Sequence, residues 1–255
     1  MLSKTQIKYI QSLRQKKYRH LHGVYIVEGE KIVSEYILQD YPLINIYADS
    51  QWSIENHNIT SKESPPLTIV NEQELRKIST LSSPNKVVAL ARLPAQLSEN
   101  KMAALLGRGL HLGLEALRDP GNLGTVIRTA DWFGFDSIIC SEDCVDAYNP
   151  KVVQASMGSL ARVRMIYTSI ASILKSTKLP VYAACVEGEN IFEETLPSDA
   201  IIVIGNESNG LSEGTMNLSS KKVRIPRFGK SESLNAAVAA GIIMVEFRRA
   251  PLPSP

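Results

Sequence analysis

The sequence predicts an α/β protein with a parallel sheet, and two patterns support this prediction. In the second half of the chain, short apolar segments typical of buried strands alternate with segments of helical periodicity. Polar loops rich in Gly, Asn and Pro follow three of these strands. Because the carboxyl ends of parallel strands share one edge of the sheet, where ligands bind, the three loops are expected to form one site there.

The elements of the second half are expected in a regular order. Strands are predicted at residues 110–114, 137–140, 165–167, 181–186, 200–204 and 223–225. Helices are predicted between most of them, at residues 123–133, 152–160, 170–176, 211–218 and 234–247. This alternation is typical of repeated strand–helix–strand units.

The first half predicts a smaller α/β module. Short strands are expected at residues 25–27, 44–47, 68–70 and 87–90. Asn71 is the predicted N-cap of a helix, with Glu74 in the capping-box position. A stretch interrupted by Pro and Ser then predicts a boundary, which gives a first domain at residues 1–93, a linker at 94–106 and a second domain at 107–255.

The bulk composition is that of a globular protein. The chain has 255 residues, of which 44% are hydrophobic and 21% charged, and a formal net charge of +2. No apolar run has the length of a membrane span, so no membrane partner is expected. The odd, sparse set of 3 cysteines fits a reducing compartment, which predicts a cytoplasmic protein.

The N-terminal segment is locally basic. Residues 1–27 contain no Asp or Glu. Their cations are Lys4, Lys8, Arg14, Lys16, Lys17 and Arg19. Such a patch is typical of contact with a nucleic-acid backbone, and a solvated helix face is the alternative. An organelle transit peptide is disfavoured because the segment runs without a break into a predicted strand.

Loop one, residues 119–124, follows the strand at 110–114 and enters a helix whose free N–H groups point into the loop. Arg128 lies one turn beyond Gly124 on the same side of that helix. It is predicted to contact an anionic group. Pairing with Asp131 or Asp136 is an equally supported alternative.

Loop two, residues 205–210, follows a predicted strand and places Asn206 and Glu207 at the end of that strand. These two residues are candidates for the site, and the alternative is a structural Asx turn with a solvated carboxylate. Loop three, residues 225–235, leaves its strand through a Pro and a Gly. Ser233 is a good cap residue for the helix that follows, and Asn235 lies in its first turn. Plain capping by Ser233 is the alternative to a functional role.

None of the loops supplies a usual nucleophile–base pair or a metal cluster. Loop one has the spacing Gly-x-x-Gly, which does not favour a nicotinamide cofactor. Cys140 and Cys144 have the spacing of metal ligands, but no His or second Cys pair is near them in sequence, so no metal is expected.

Taken together, the three loops resemble the sequence motifs of the SpoU/TrmH branch of the SPOUT RNA methyltransferases. The first motif matches at residues 119–124 with Arg128, the second at 204–211 and the third at 225–235. Their order and internal spacing agree with the family over residues 110–247.

The resemblance implies a trefoil-knotted α/β catalytic domain, preceded by a small α/β domain related to RNA-binding ribosomal proteins. It implies S-adenosylmethionine as the methyl donor, a ribose 2′-hydroxyl in structured RNA as the acceptor, and a homodimer. We expect rRNA rather than tRNA as the substrate. Two positions depart from the family pattern: Arg227 stands where many relatives carry Met, and Ala237 where a Ser is common.

The resemblance also assigns roles to individual residues. The predicted reaction centre consists of Asn122, Arg128, Glu207, Ser233 and Asn235. The predicted cofactor contacts are Gly205, Asn206, Leu211, Ile225, Pro226 and Leu234. The predicted RNA contacts of the first domain are Lys16, Lys17 and Arg19.

Two other functions are compatible with the predicted fold. An RNA-binding scaffold without activity is disfavoured because the whole set of reaction-centre residues is present. An NAD-dependent oxidoreductase is disfavoured by the glycine spacing of loop one.

Overall fold

The computed structural model describes residues 1–57, 65–206 and 209–249. The chain divides into two compact units. One contains Met1–Ala95 and Asp146–Arg162, and the other contains Gln96–Val145 and Val163–Pro255. Of the helices in the described ranges, none combines the length and apolarity needed to cross a membrane.

The described residues form helices and strands in alternation. The strands are β1 Val24–Glu28, β2 Leu43–Ala48, β3 Leu67–Ile69, β4 Val87–Arg92, β5 Leu110–Leu114, β6 Ser137–Cys140, β7 Arg164–Tyr167, β8 Val181–Asn190, β9 Ala200–Ile204 and β10 Lys221–Arg224. The helices are α1 Lys4–Ser12, α2 Lys16–His22, α3 Glu30–Leu38, α4 Ser50–Glu55, α5 Glu72–Ile78, α6 Glu99–Leu105, α7 Pro120–Trp132, α8 Pro150–Ser156, α9 Ile170–Ser176, α10 Glu213–Asn217 and α11 Ala236–Arg249.

The first unit is built on a four-stranded sheet with the strand order β1–β4–β2–β3. Strands β1 and β2 run antiparallel to β4, and β3 runs parallel to β2. The predicted capping box of α5 is confirmed: Asn71 Oδ1 accepts the Glu74 N–H at 2.9 Å, and Glu74 Oε2 accepts the Asn71 N–H at 3.1 Å. Glu74 Oε1 also accepts the Leu2 N–H at 2.6 Å, which ties the N-terminus to this helix.

The first unit includes a segment that the sequence places in the second half. Residues 146–162, which contain α8, pack with Met1–Ala95. The Arg162 Nη1 donates to Glu35 Oε2 at 2.8 Å, and the Tyr148 ring lies 4.8 Å from the Tyr25 ring, centroid to centroid. The chain therefore enters the first unit twice.

The Arg19 side chain fixes this segment and is 2% exposed. Its Nε donates to Asp146 Oδ2 at 3.1 Å, and the same carboxylate, 8% exposed, forms an ion pair with Nη2. Nη1 donates to the carbonyls of Leu13 at 3.0 Å and Arg14 at 2.8 Å. An enclosed guanidinium with these partners cannot reach an RNA phosphate, so the prediction of an RNA contact is wrong for Arg19.

The second unit contains a six-stranded sheet in which every neighbouring pair is parallel, which confirms the predicted sheet. Its strand order is β10–β8–β9–β5–β6–β7. From β5, the chain adds β6 and β7 on one side of the sheet. It then crosses to the other side of β5, where β8, β9 and β10 lie. The strand order thus reverses between β5 and β9, and open α/β sheets bind ligands at such a point.

Several boundaries differ from the predicted ones. Helix α6 lies inside the predicted linker at 94–106, because Met102 and Leu105 pack against an apolar cluster of the second unit. The helix predicted at 152–160 breaks after α8, where Met157 and Gly158 both have positive φ. A β-carbon on Gly158 would lie 2.9 Å from the Glu35 Cβ, so this close contact requires glycine.

We predict that Arg19→Met destabilises the first unit by about 3–5 kcal/mol, because it leaves the Asp146 carboxylate buried without its ion partner. The matched control is Arg118→Met: Arg118 is 75% exposed, its Nη2 lies 3.7 Å from Asp143, and an exposed pair contributes about 1 kcal/mol or less. Urea denaturation followed by circular dichroism measures both. Equal, small changes in the two variants would contradict a structural role for Arg19.

Candidate active site

Loops one and two leave neighbouring strands at the point where the strand order reverses. Leu114 at the end of β5 pairs with Ile204 at the end of β9. The Glu115 N–H continues the ladder by donating to the Ile204 carbonyl at 2.9 Å. The two loops therefore begin side by side at the carboxyl edge of the sheet.

Loop one is held by the first turn of α7. Asp119 caps this helix, and its Oδ1 accepts the Asn122 N–H at 2.7 Å. Pro120 occupies the first turn, where its missing N–H costs no hydrogen bond. The chain leading into the loop passes through Ala116, whose φ of 57° is positive. The Ala116 carbonyl accepts Asn206 Nδ2 at 2.9 Å, so a side chain of loop two fixes the strained start of loop one.

Loop two folds back on itself at Gly205. A β-carbon on Gly205 would overlap the backbone of Gly210 and lie 2.5 Å from the Leu211 nitrogen. The Gly210 N–H donates to the Asn206 carbonyl at 2.8 Å, and Gly210 has a positive φ of 64°. Only glycine at 205 allows this approach. Glu207, predicted in the reaction centre, lies outside the described residues.

Loop three begins at the edge strand β10 and ends beside loop one. Asn235 Nδ2 donates to Asn122 Oδ1 at 2.9 Å. Asn235 Oδ1 accepts the N–H groups of Ala237 at 3.0 Å and Val238 at 3.3 Å, which makes Asn235 the cap of α11. The alternative in which Ser233 caps this helix therefore does not hold. Among the described residues, its exposed side chain accepts no N–H of α11, and its carbonyl accepts Ser231 Oγ at 3.0 Å.

The Asn122–Asn235 contact brings two helix N-termini together. Helices α7 and α11 are 13 and 14 residues long, and each starts at this point. Helix N-termini carry partial positive charge, which favours anionic groups nearby. Asp119 and Asn235 already accept N–H groups of the first turns, so the helix dipoles are the main contribution here. The carboxyl edge of this sheet is therefore suited to a phosphate, a carboxylate or a developing oxyanion.

Arg128 lies on the exposed face of α7, in a row with Gly121, Thr125 and Trp132. Within the ranges that the structure describes, its guanidinium has no ion pair and no hydrogen bond. Asp136, one of the alternative partners, instead accepts the Leu110 N–H at 3.0 Å through Oδ2. The described residues thus leave the Arg128 charge available to a ligand.

The ends of loop three provide backbone groups for a ligand. Among the described residues, no backbone hydrogen bond uses the N–H or C=O of Ile225 or Leu234. Ile225 and Pro226 are half-buried, and Leu234 is 44% exposed. Together with Gly205, Asn206 and Leu211 of the second motif, these residues are the predicted cofactor contacts.

Sequence reasoning missed a bulge in β8, which is longer than predicted. Its register with β10 shifts between Lys222 and Val223, and the partner residue jumps from Ala183 to Glu189. A β-carbon on Gly188 would lie 2.5 Å from the Val223 nitrogen. The residues between these contacts bulge next to the start of loop three. A lone glycine within a strand pattern is the sequence signal for such a bulge.

Cys144 contacts the segment that leads into loop one. Its Sγ accepts the Leu117 N–H at 3.2 Å, and the residue is 4% exposed. A hydrogen bond from the Cys140 thiol lowers the pKa of Cys144 to about 6, and burial opposes this shift. The described residues contain no cluster of three or more His, Cys, Asp or Glu able to hold a metal ion.

Comparison with known proteins decides the family. The model of the SpoU rRNA Methylase family matches residues 109–245, which includes all three loops. The chain belongs to the SpoU family. A second model, the MRM3-like substrate binding domain, matches residues 4–89 of this SpoU-family chain. The predicted family and its methyltransferase class are confirmed.

Relatives match along nearly the whole SpoU-family chain. It is 26% identical to the 23S rRNA (guanosine(2553)-2′-O)-methyltransferase RlmP of Bacillus subtilis, over 95% of this chain and 96% of that protein. It is 30% identical to an uncharacterized tRNA/rRNA methyltransferase of Synechocystis, over 95% and 90% of the two lengths.

Solved structures show the same architecture. A TrmH-family RNA methyltransferase from Porphyromonas gingivalis superposes with a TM-score of 0.87 at 34% identity, covering 98% of this chain and 99% of that one. An AdoMet-bound rRNA methyltransferase from Sinorhizobium meliloti superposes with a TM-score of 0.84 at 26% identity, covering 99% and 98%.

Proposed function

We propose that this SpoU-family methyltransferase transfers a methyl group from S-adenosylmethionine to a ribose 2′-hydroxyl of rRNA. The observation that carries the proposal is the meeting of loops one and three through Asn122 and Asn235, beside loop two. Full-length similarity to a 23S rRNA methyltransferase favours rRNA over tRNA. A tRNA acceptor is the second candidate, because another full-length relative is described as a tRNA/rRNA methyltransferase.

The residues present fit S-adenosylmethionine. The backbone groups of Ile225 and Leu234, which have no hydrogen-bond partner among the described residues, suit the polar edges of an adenine and an amino acid. Asn206, Leu211 and Pro226 would complete the pocket. When bound, S-adenosylmethionine supplies an electrophilic methyl group, so neither a covalent intermediate nor a metal is needed.

The side chains of the site must position the hydroxyl and favour loss of its proton. A guanidinium has a pKa above about 12, so Arg128 is a poor general base. We assign it instead to binding the adjacent RNA phosphate, which takes the hydroxyl proton, and to stabilising the developing oxyanion. The N-termini of α7 and α11 add positive potential at the same place. Asn122 and Asn235 orient the reacting groups by hydrogen bonds, and Ser233 faces the ribose.

Arg128→Ala is expected to lower the rate of methyl transfer by at least about 100-fold while leaving S-adenosylmethionine affinity nearly unchanged, because the guanidinium acts on RNA and on the transition state. Transfer of labelled methyl groups to rRNA and titration calorimetry measure the two quantities. Arg128→Lys is also expected to fail, since an ammonium cannot make the bidentate contact. Arg118→Ala is the control. Lost cofactor binding in Arg128→Ala would contradict this role.

We propose that two copies of the chain pair through α7 and α11. These helices carry exposed apolar side chains: Trp132 is 84% exposed, Val238 51% and Val245 40%. The helices pack together where a β-carbon on Gly241 would lie 3.8 Å from the Thr129 Cγ2. An apolar surface on adjacent helices is typical of a self-association face. Because Arg128 lies in the same row as Trp132, the reaction centre would border the partner copy.

Trp132→Glu is expected to convert the dimer into a monomer, since burying an unpaired carboxylate opposes association. Size-exclusion chromatography with light scattering measures the mass. Ile54→Glu is the matched control, because Ile54 is 72% exposed in the first unit. A wild-type monomer, or a Trp132→Glu dimer of unchanged affinity, would contradict the proposed interface.

Five further assignments belong to the same proposal. Residues 1–93 would form the RNA-binding domain, supported by the returning segment 146–162, and 107–255 would otherwise form the catalytic domain. The linker at 94–106 would connect them, with its helix α6 packed on the second unit. The segment leading into α11 would pass through a trefoil knot. Lys16 and Lys17, both exposed, would contact RNA phosphates. Glu207 would act in the reaction centre. The chain would act in the cytoplasm, which the three free cysteines support.

A further inference from the structure

An aromatic and basic patch covers one side of α1 and α2, consisting of Tyr9, Lys17, Tyr18 and His22. The Tyr18 and His22 rings are nearly parallel, with an interplanar angle of 14° and centroids 6.4 Å apart. The Tyr9 ring meets His22 edge-on, with centroids 5.0 Å apart. The Lys17 ammonium lies 5.9 Å from the centroid of the Tyr18 ring.

The fold holds this patch in place. Tyr18 and His22 are four residues apart on α2, so their side chains lie on one face. Gly23 ends the helix in the left-handed conformation, with φ of 64°, directly after His22. The guanidinium of Arg19 fastens the turn between α1 and α2 through the carbonyls of Leu13 and Arg14. The rings therefore belong to helices whose positions are fixed, and not to a loop.

The patch is accessible, and the segment that forms it carries no acidic residue. His22 and Lys17 are exposed, Tyr9 and Tyr18 are half-buried, and the neighbouring Leu21 is 68% exposed. Ile10 and Leu13, each 0% exposed, join the core cluster of this unit, and Tyr9 packs against that cluster with part of its side chain. No Asp or Glu occurs among residues 1–27. Burial raises the pKa of Tyr9, so its hydroxyl stays neutral at physiological pH.

We propose that this patch is a stacking platform for an unpaired base of the RNA substrate, with Lys17 and Lys16 on the flanking phosphates. Taking RNA as the partner rests on the proposed function. Tyr and His rings bind single-stranded bases by stacking, whereas the bases of a duplex are covered by their neighbours. The substrate region that the first unit binds is therefore a loop, a bulge or a single strand, not a continuous helix.

The test uses the full chain and two fluorescent probes, an oligouridylate of about 12 nucleotides and an RNA duplex of about 12 base pairs, within the site sizes of single-strand binders. Tyr18→Ala and His22→Ala are each expected to weaken binding of the single strand by about 5- to 100-fold, the range for one stacked base. Duplex binding is expected to change by less than about twofold, because stacking contributes little to it. Tyr18→Phe keeps the ring and is expected to bind as wild type.

Matched controls separate stacking from charge and from folding. His57→Ala removes an exposed histidine elsewhere in the unit and is expected to have no effect. Lys17→Ala is expected to reduce the slope of log affinity against log salt concentration for the single strand by about 0.7. Lys31→Ala is expected to leave that slope unchanged. If Tyr18→Ala lowers the melting temperature, Tyr18→Leu keeps the bulk without the ring and is expected to show the same loss.

Equal losses on strand and duplex, or no loss in Tyr18→Ala, would overturn the platform. Methyl transfer to rRNA by the wild-type protein is measured in parallel. If transfer occurs while Tyr18→Ala binds the single strand as wild type, the platform fails and the proposed function stands. If wild type transfers no methyl group but still prefers the single strand in a Tyr18-dependent way, the proposed function fails and the platform stands.

Discussion

The hydrogen bond from Asn235 to Asn122 is the contact on which the candidate active site depends. The Asn235 side chain makes both contacts: its Oδ1 caps α11, and its Nδ2 donates to Asn122. The Asn122 N–H in turn donates to Asp119, the cap of α7. Two helix N-termini separated by more than a hundred residues are thereby fixed at one edge of the sheet. Their combined partial positive charge gives the site an electrostatic character that no single loop has.

Loop two depends on a different constraint, which is the absence of a side chain. Gly205 lets the chain return close enough for the Gly210 N–H to reach the Asn206 carbonyl. The Asn206 side chain then reaches the start of loop one at Ala116.

Of the two positions that depart from the family pattern, Arg227 has a contact inside loop three, where its Nη1 donates to the Ser231 carbonyl at 3.4 Å. The structure gives no reason for Ala237 in place of the common Ser.

Local signals in the sequence were sufficient for the parallel sheet and for the position of the loops. Apolar runs locate β5 and β9, and strand ends in a parallel sheet must share an edge. The sequence could not choose between Ser233 and Asn235 as the cap of α11, because both residue types cap helices well. The choice depends on Asn122, which is 113 residues away in sequence.

The role of Arg19 could not be predicted either, because it too depends on a residue that is distant in sequence. A basic segment indicates affinity for phosphate, but composition cannot show that one cation has a buried acid as its partner. That acid, Asp146, follows at a distance of 127 residues and lies in a segment that returns to the first unit. The aromatic rings beside Arg19 were missed because periodicity identifies apolar core positions and not rings that share an exposed face.

A double-mutant cycle on Asn122 and Asn235, measured by the rate of methyl transfer from S-adenosylmethionine to rRNA, tests the convergence of the loops most directly. Asn235→Asp keeps an oxygen to cap α11 but can no longer donate to Asn122, so the fold is expected to remain intact. We predict that Asn122→Ala, Asn235→Asp and the double variant lose activity to the same extent, with a coupling of about 1 kcal/mol or more. Additive losses, or wild-type rates in Asn235→Asp, would contradict a single site built from these loops.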